Sequence, residues 1–156
     1  MQRALSDAER IDWLRLARTD GIGPATFHRL IRTYESPKAA LAAAPEIARR
    51  AGRASITLHP EANAEKELKA LRKRGAQLLA SCEPGFPKLL AQIDPPPPII
   101  AVQGDIALFE KPAIAIVGSR NASAAGLRMA RELAEELSAK GCLIVSGLAR
   151  GVDGAA

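Results

Sequence analysis

Two glycine-bearing segments hold the groups in this sequence best suited to grip an anion. They are Gly118-Ser119-Arg120-Asn121-Ala122-Ser123 and Ser146-Gly147-Leu148-Ala149-Arg150-Gly151. Each offers backbone N–H groups, a serine hydroxyl and an arginine, whose planar guanidinium can fork onto a phosphate. A third segment, Gly21-Ile22-Gly23-Pro24, reads as a hairpin between two helices. Such a hairpin can turn N–H groups at a helix N-terminus toward a phosphate oxygen. It is also a good interhelical turn, so phosphate contact and plain packing both stay open for Gly21 and Gly23.

More specific chemistries fail on spacing. The dinucleotide fingerprint G-x-G-x-x-G is absent, because the next glycine after Gly118 is Gly126. A ribose-binding carboxylate is missing where the chain reads Ser146-Gly147, and neither loop supplies the lysine and hydroxyl of a P-loop. Ser119 has no candidate base, and no Ser/His/Asp set is visible. Cys82 and Cys142 form no C-x-x-C, and with two histidines they make no zinc site at ligand spacing. His28 and His59 are isolated and read as structural. The expectation is a phosphate pocket with no catalytic residues, no metal and no cofactor.

The elements that would position these loops follow from periodicity. Ala113 to Val117 is a continuous apolar run of the kind seen in strands buried on both faces, and Leu143 to Val145 is a second. Between them, Ser123 to Lys140 reads as a helix with Leu127, Ala130, Ala134 and Leu137 on one side and Gly141 at its end. Strand, helix and strand make a right-handed βαβ unit, with both loops at the strand C-terminal ends where open α/β sheets bind ligands. Two neighbouring strands would set the loops side by side.

The first half is helical. Ser6 and Glu9 form a capping box, and the following helix places Ile11, Leu14 and Ala17 on one face. After the hairpin, Phe27, Leu30, Ile31 and Tyr34 recur at i, i+3, i+4 and i+7. A short helix over Ala39 to Ala44 is punctuated by Pro45, and a longer one runs from about Pro60 to Arg74 with Ala64, Leu68 and Leu71 inward. Its outward lysines and arginines read as a solvated face. Gln77 to Ala80 is a short apolar run, Phe86 to Ile93 a short helix, Pro95 to Pro98 a stiff connector into a strand at Ile99 to Val102, and Ile106 to Phe109 a helical turn. The composition shift near residue 75 predicts a helical domain over 1–75 and an α/β domain over 76–156.

Composition bounds the rest. The 156 residues include 31 alanines and five aromatics, with a net charge of +5. Residues 1–75 hold 15 basic and 9 acidic side chains, and residues 76–156 hold 7 and 8. A basic module suggests an anionic partner such as nucleic acid, or simply solvated helix faces. The longest stretch without a charge, Pro95 to Gly104, contains four prolines and is far short of the roughly 18 apolar residues a membrane helix needs. No signal peptide is visible at the acidic N-terminus.

Ala115-Ile116-Val117-Gly118-Ser119-Arg120-Asn121-Ala122-Ser123, followed by Ile144-Val145-Ser146-Gly147-Leu148-Ala149-Arg150-Gly151-Val152-Asp153, resembles the DNA-processing protein A (DprA/Smf) family. Gly21-Ile22-Gly23-Pro24, Phe86-Pro87, the proline run and Val102-Gln103-Gly104-Asp105 are similar to the same family, so the likeness covers nearly the whole chain.

The resemblance implies a helical SAM-like domain with a helix-hairpin-helix, followed by an extended Rossmann-like parallel sheet. It also implies a cytoplasmic, non-enzymatic protein of natural transformation. Such a protein binds single-stranded DNA, protects incoming strands, helps load the RecA recombinase and forms a homodimer. Carried over by position, Gly118, Ser119 and Arg120 line the strand pocket and Ser146, Gly147 and Gly151 form its second wall. Arg150 joins them, with a structural partner as its other use. The sequence stops at Ala156, inside the helix expected after the second loop, so more of the sheet and the dimer surface are expected to follow. The alternative is a nucleotide phosphoribohydrolase of the lysine-decarboxylase-like group, whose glutamate-bearing P-G-G-x-G-T-x-x-E stretch this sequence lacks.

Overall fold

The computed structural model describes residues 3–50, 52 and 55–156. It divides into two compact units, one up to Gly104 and one from Asp105. The strand at residue 99 and the chain before it from residue 76 thus pack with the helices of the first unit. The reason lies in strand pairing. β1 (Ala76–Ala80) pairs antiparallel with β2 (Ile99–Gln103), with Leu78 opposite Ala101. This ribbon packs on the helices before it, burying Leu78, Leu79 and Ala80.

In the first unit, α1 (Asp7–Arg18) is central, touching α2 (Pro24–Tyr34), α3 (Pro37–Arg50), α4 (Glu61–Lys73) and both strands. Its capping box forms as expected: Glu9 N–H donates to the Ser6 hydroxyl, and the Ser6 N–H donates to the Glu9 carboxylate. Elements on several sides bury Trp13, Leu14 and Leu16, while Ile11 and Ala17 are half-buried. The single inward face expected for Ile11, Leu14 and Ala17 is thus too narrow. On α2 the expected stripe holds, with Phe27 and Leu30 buried and Ile31 and Tyr34 packed beside them.

α3 does not stop at Pro45 but runs through it to Arg50. Ala40, Leu41, Ala44 and Ala48 continue one buried stripe past the proline, which itself faces solvent. The burial sustains a helix that the missing N–H weakens. α4 buries Ala64 and Leu68 as expected. Part of its basic face is not merely solvated, since Arg72 pairs with Asp7 at 2.6 Å; on the same helix, Glu67 receives Arg18 at 2.9 Å.

A short helix, α5, spans only Lys88–Ala91. The proline run is held as well as stiff: the Trp13 indole N–H donates to the Pro98 carbonyl at 2.8 Å, and a His28 ring nitrogen lies 2.9 Å from the Pro96 carbonyl. The Trp13 and Phe27 rings lie 5.1 Å apart at a tilt, and Phe27 meets the His28 ring edge-on at 5.5 Å, which with the Pro96 contact gives His28 its structural role. Glu83, buried at the end of β1, accepts from the N–H groups of Leu5 and Ala80 and from Arg10 at 2.5 Å. That bond holds the Arg10 guanidinium above its ordinary pKa.

The second unit begins with a 3₁₀ turn, Ile106–Glu110. β3 (Ala113–Ala115) pairs in parallel with β4 (Leu143–Val145), Ile114 lying opposite Ile144. Between them α6 (Ala124–Ala139) is N-capped by the Ser123 hydroxyl, and Gly141 follows it with a φ of +88°. A short α7, Val152–Ala155, ends the unit. β3 is shorter than expected, ending at Ala115, β4 has the expected bounds, and both are more open than doubly buried strands: Val117 is 71% exposed and Val145 47%. Only Ala130 and Ala134, both on α6, are buried in this unit.

Candidate functional site

Parallel pairing of β3 and β4 brings the two glycine loops together at the C-terminal ends of the strands. The Ile116 N–H extends the ladder to the Val145 carbonyl at 3.0 Å, and the Val152 N–H reaches the Ser119 carbonyl at 3.1 Å. Side chains then lace one loop to the other. The Ser146 hydroxyl lies 2.8 Å from the Ile116 carbonyl and 3.0 Å from that of Asp153. Asp153 accepts from the Gly118 N–H at 3.0 Å, and Arg150 donates to the Asn121 side-chain carbonyl at 2.9 Å.

The glycines are where they are because the loops touch. A Cβ at Gly118 would lie 2.9 Å from the Val152 side chain, and one at Gly147 would lie 2.8 Å from the Asp153 carboxylate. Gly151 has a φ of +94°, and a Cβ there would stand 2.1 Å from the Ser119 carbonyl oxygen. That approach excludes any side chain.

The expected site residues therefore separate by what they contact. Gly118, Ser146, Gly147 and Gly151 build the bracket that holds the loops, and Arg150 braces it through Asn121. Ser119 accepts from the Asn121 N–H at 3.1 Å, leaving its hydroxyl proton to donate elsewhere. Among the described residues, Arg120 is in no ion pair, and the Ser119 and Arg120 N–H groups donate to no protein acceptor. An open groove of about 410 Å³ is lined by Arg120, Arg131, Arg150 and Gly151 with Ala122, Leu127 and Ala155 among its apolar walls, whereas Gly118, Ser119, Ser146 and Gly147 do not line it. No carboxylate lines it.

Three residues of this arrangement lay outside the sequence-based expectation: Asp153, Asn121 and Arg131. Asn121 and Asp153 stand inside the quoted motifs, but only the fold shows which loop each one ties. Arg131 sits one helical turn after Leu127, a spacing that could have marked it. At the hairpin, Gly21 has a φ of +81° and Gly23 N-caps α2 without a side-chain cap. The pair lies in the first unit, and Gly21 lines a small apolar hollow with Ile22, Leu30 and Ile47.

The architecture defines a helical hairpin module followed by a Rossmann-like α/β unit with paired glycine loops at its strand ends. Residues 77–156 match the family described as DNA recombination-mediator protein A, and residues 7–70 match the DprA-like N-terminal HHH domain. The chain belongs to the DprA/Smf family. It is 28% identical over 160 residues to Protein Smf of Synechocystis sp., covering 96% of this chain and 40% of that protein. It is 39% identical over 88 residues to DNA processing protein DprA of Bacillus subtilis, covering 56% of this chain and 30% of that protein. The crystal structure of DNA processing protein A (DprA) from Streptococcus pneumoniae shares the fold, with a TM-score of 0.63 at 19% identity over 99% of this chain and 53% of that one. The chain thus spans well under two thirds of the length of these relatives.

Proposed function

We propose that this chain binds single-stranded DNA at the loops following β3 and β4, as part of DNA processing in natural transformation. In this reading it protects incoming strands in the cytoplasm and helps load the RecA recombinase, acts as a homodimer, and does no covalent chemistry. The observation that carries the proposal is the groove at the bracketed loops, lined by Arg120, which is in no ion pair among the described residues, and by no carboxylate. Family membership and the names of the relatives support the DNA-processing role.

The aromatic residues bear on how a strand is held. Trp13, Phe27 and Phe86 are buried and Tyr34 and Phe109 half-buried, so base stacking has no exposed ring to use. Binding should run through phosphates, with little base preference and a slope of log affinity against log salt of roughly −0.7 per phosphate contacted. Any contact at Gly21 and Gly23 would add to this.

The test is anisotropy of labelled single- and double-stranded oligonucleotides across a salt series, with wild type and Arg120→Ala. Arg120→Ala should weaken single-strand binding sharply and flatten the slope. Unchanged affinity and slope would overturn the site, and equal affinity for duplex would overturn its strand selectivity.

A further inference from the structure

We propose that Arg131 is a further phosphate-binding cation of this groove, acting beside Arg120. The site would then take a strand spanning at least two successive phosphates in place of a single anion. The inference rests on the strand-binding reading above.

Arg120 and Arg150 reach the groove from the two loops, whereas Arg131 comes from the flank of α6. One phosphodiester has two free oxygens, and the forked Arg120 guanidinium can bond both at once. A further guanidinium in the same groove therefore meets the next phosphate along. The apolar wall of Ala122, Leu127 and Ala155 suits the sugar and base faces between phosphates and serves no purpose for a bare anion.

Charge placement supports the assignment. Residues 105–156 carry six basic and six acidic side chains, yet three of the six cations and none of the acids line this groove. The one competing use for Arg131 is Glu135, a helical turn further on, where both border a second hollow. No ion pair forms between them, and Arg131 is solvent-exposed with no partner among the described residues. Arg128 is also exposed on α6 but does not line the groove.

The experiment compares Arg131→Gln, Arg131→Lys, Arg120→Ala and Arg128→Ala in the full chain. It uses anisotropy of a labelled thymidine oligonucleotide across a salt series, with thymidine 5′-monophosphate as competitor. Arg131→Gln should weaken oligonucleotide binding by about five- to tenfold and remove about 0.7 from the salt slope, leaving competition by the mononucleotide unchanged. Arg131→Lys should keep the slope, and Arg128→Ala should match wild type.

Failure of this inference is separable from failure of the strand-binding reading. If Arg131→Gln behaves as wild type while Arg120→Ala weakens binding, Arg131 has no such role and the strand site stands. If neither changes binding, the strand site falls with it. An equal loss in Arg128→Ala would mean diffuse charge, and an equal loss of mononucleotide competition in Arg131→Gln would mean one phosphate only. Either result overturns the proposal.

Discussion

The unit up to Gly104 and the unit from Asp105 hold their shape by different means. The first wraps apolar side chains around α1, with Leu14, Leu16 and Phe27 sealed from solvent, and adds ion pairs such as Arg18 with Glu67 across its helices. The second buries only two alanines and instead locks its loops by backbone contact and short polar bridges through Ser146, Asp153 and Asn121. The basic excess sits in the first unit, where many arginines are tied to carboxylates, while unpaired cations at the candidate site sit in the electrically balanced second unit. A site that must admit a phosphate needs open donors, and an arginine already tied to a carboxylate is a poor one. Net charge was thus a poorer guide to the candidate binding surface than the local pairing of each arginine.

Four substitutions probe this contrast. Phe27→Ala should cost about 3–5 kcal/mol, because it empties the centre of the first core. Denaturant unfolding measures this, and a loss below about 1 kcal/mol would mean that the core is not what holds that unit. Gly151→Ala should cost about 1–3 kcal/mol in the second unit through its positive φ and the collision with Ser119, and should spread the loops enough to weaken strand binding at least tenfold. Wild-type affinity in that variant would show that the close approach of the loops is dispensable. Ser146→Ala removes one hydroxyl from the bracket and should cost about 1 kcal/mol, with only a fewfold loss of affinity.

The smallest effect concerns the N-terminal cap and depends on pH. Glu9, bonded to Arg3 and to the Ser6 N–H and hydroxyl, has its carboxyl drawn from 4.5 to about 2. A lowered folded-state value makes this contribution whole above pH 4.5, and it is lost as pH falls toward about 2. Glu9→Gln should therefore flatten that part of the Tm–pH curve, modestly and less so at high salt because the group is exposed. An unaltered acid limb would show that the cap contributes nothing through charge.

Features set by neighbours along the chain were legible in the sequence. The Ser6–Glu9 box, the Phe27-to-Tyr34 stripe and the bounds of β4 all depend on spacings of a few residues, and all form as read. Features set by distant packing were not. Trp13 and Leu16 are buried because elements close over several sides of α1, and α3 survives Pro45 because its stripe continues. The packing of residues 76–104 with the helices was not legible either, because Leu78 finds Ala101 across a long connection. At the candidate site, the loops and their glycines could be read as a phosphate cradle. Which donors are spent on the bracket and which stay free is a property of loop against loop, so Asp153, Asn121 and Arg131 emerged only with the fold.

The clamp of Trp13 on the proline run has a practical consequence. Trp13 is the sole tryptophan and Tyr34 the sole tyrosine, and both lie in the first unit, leaving the second with Phe109 alone. Indole emission consequently reports melting of the helical unit and is silent about the glycine loops, whereas amide hydrogen exchange sees both. Run together on one sample, the two signals would show whether the halves of this chain melt as one body or in succession.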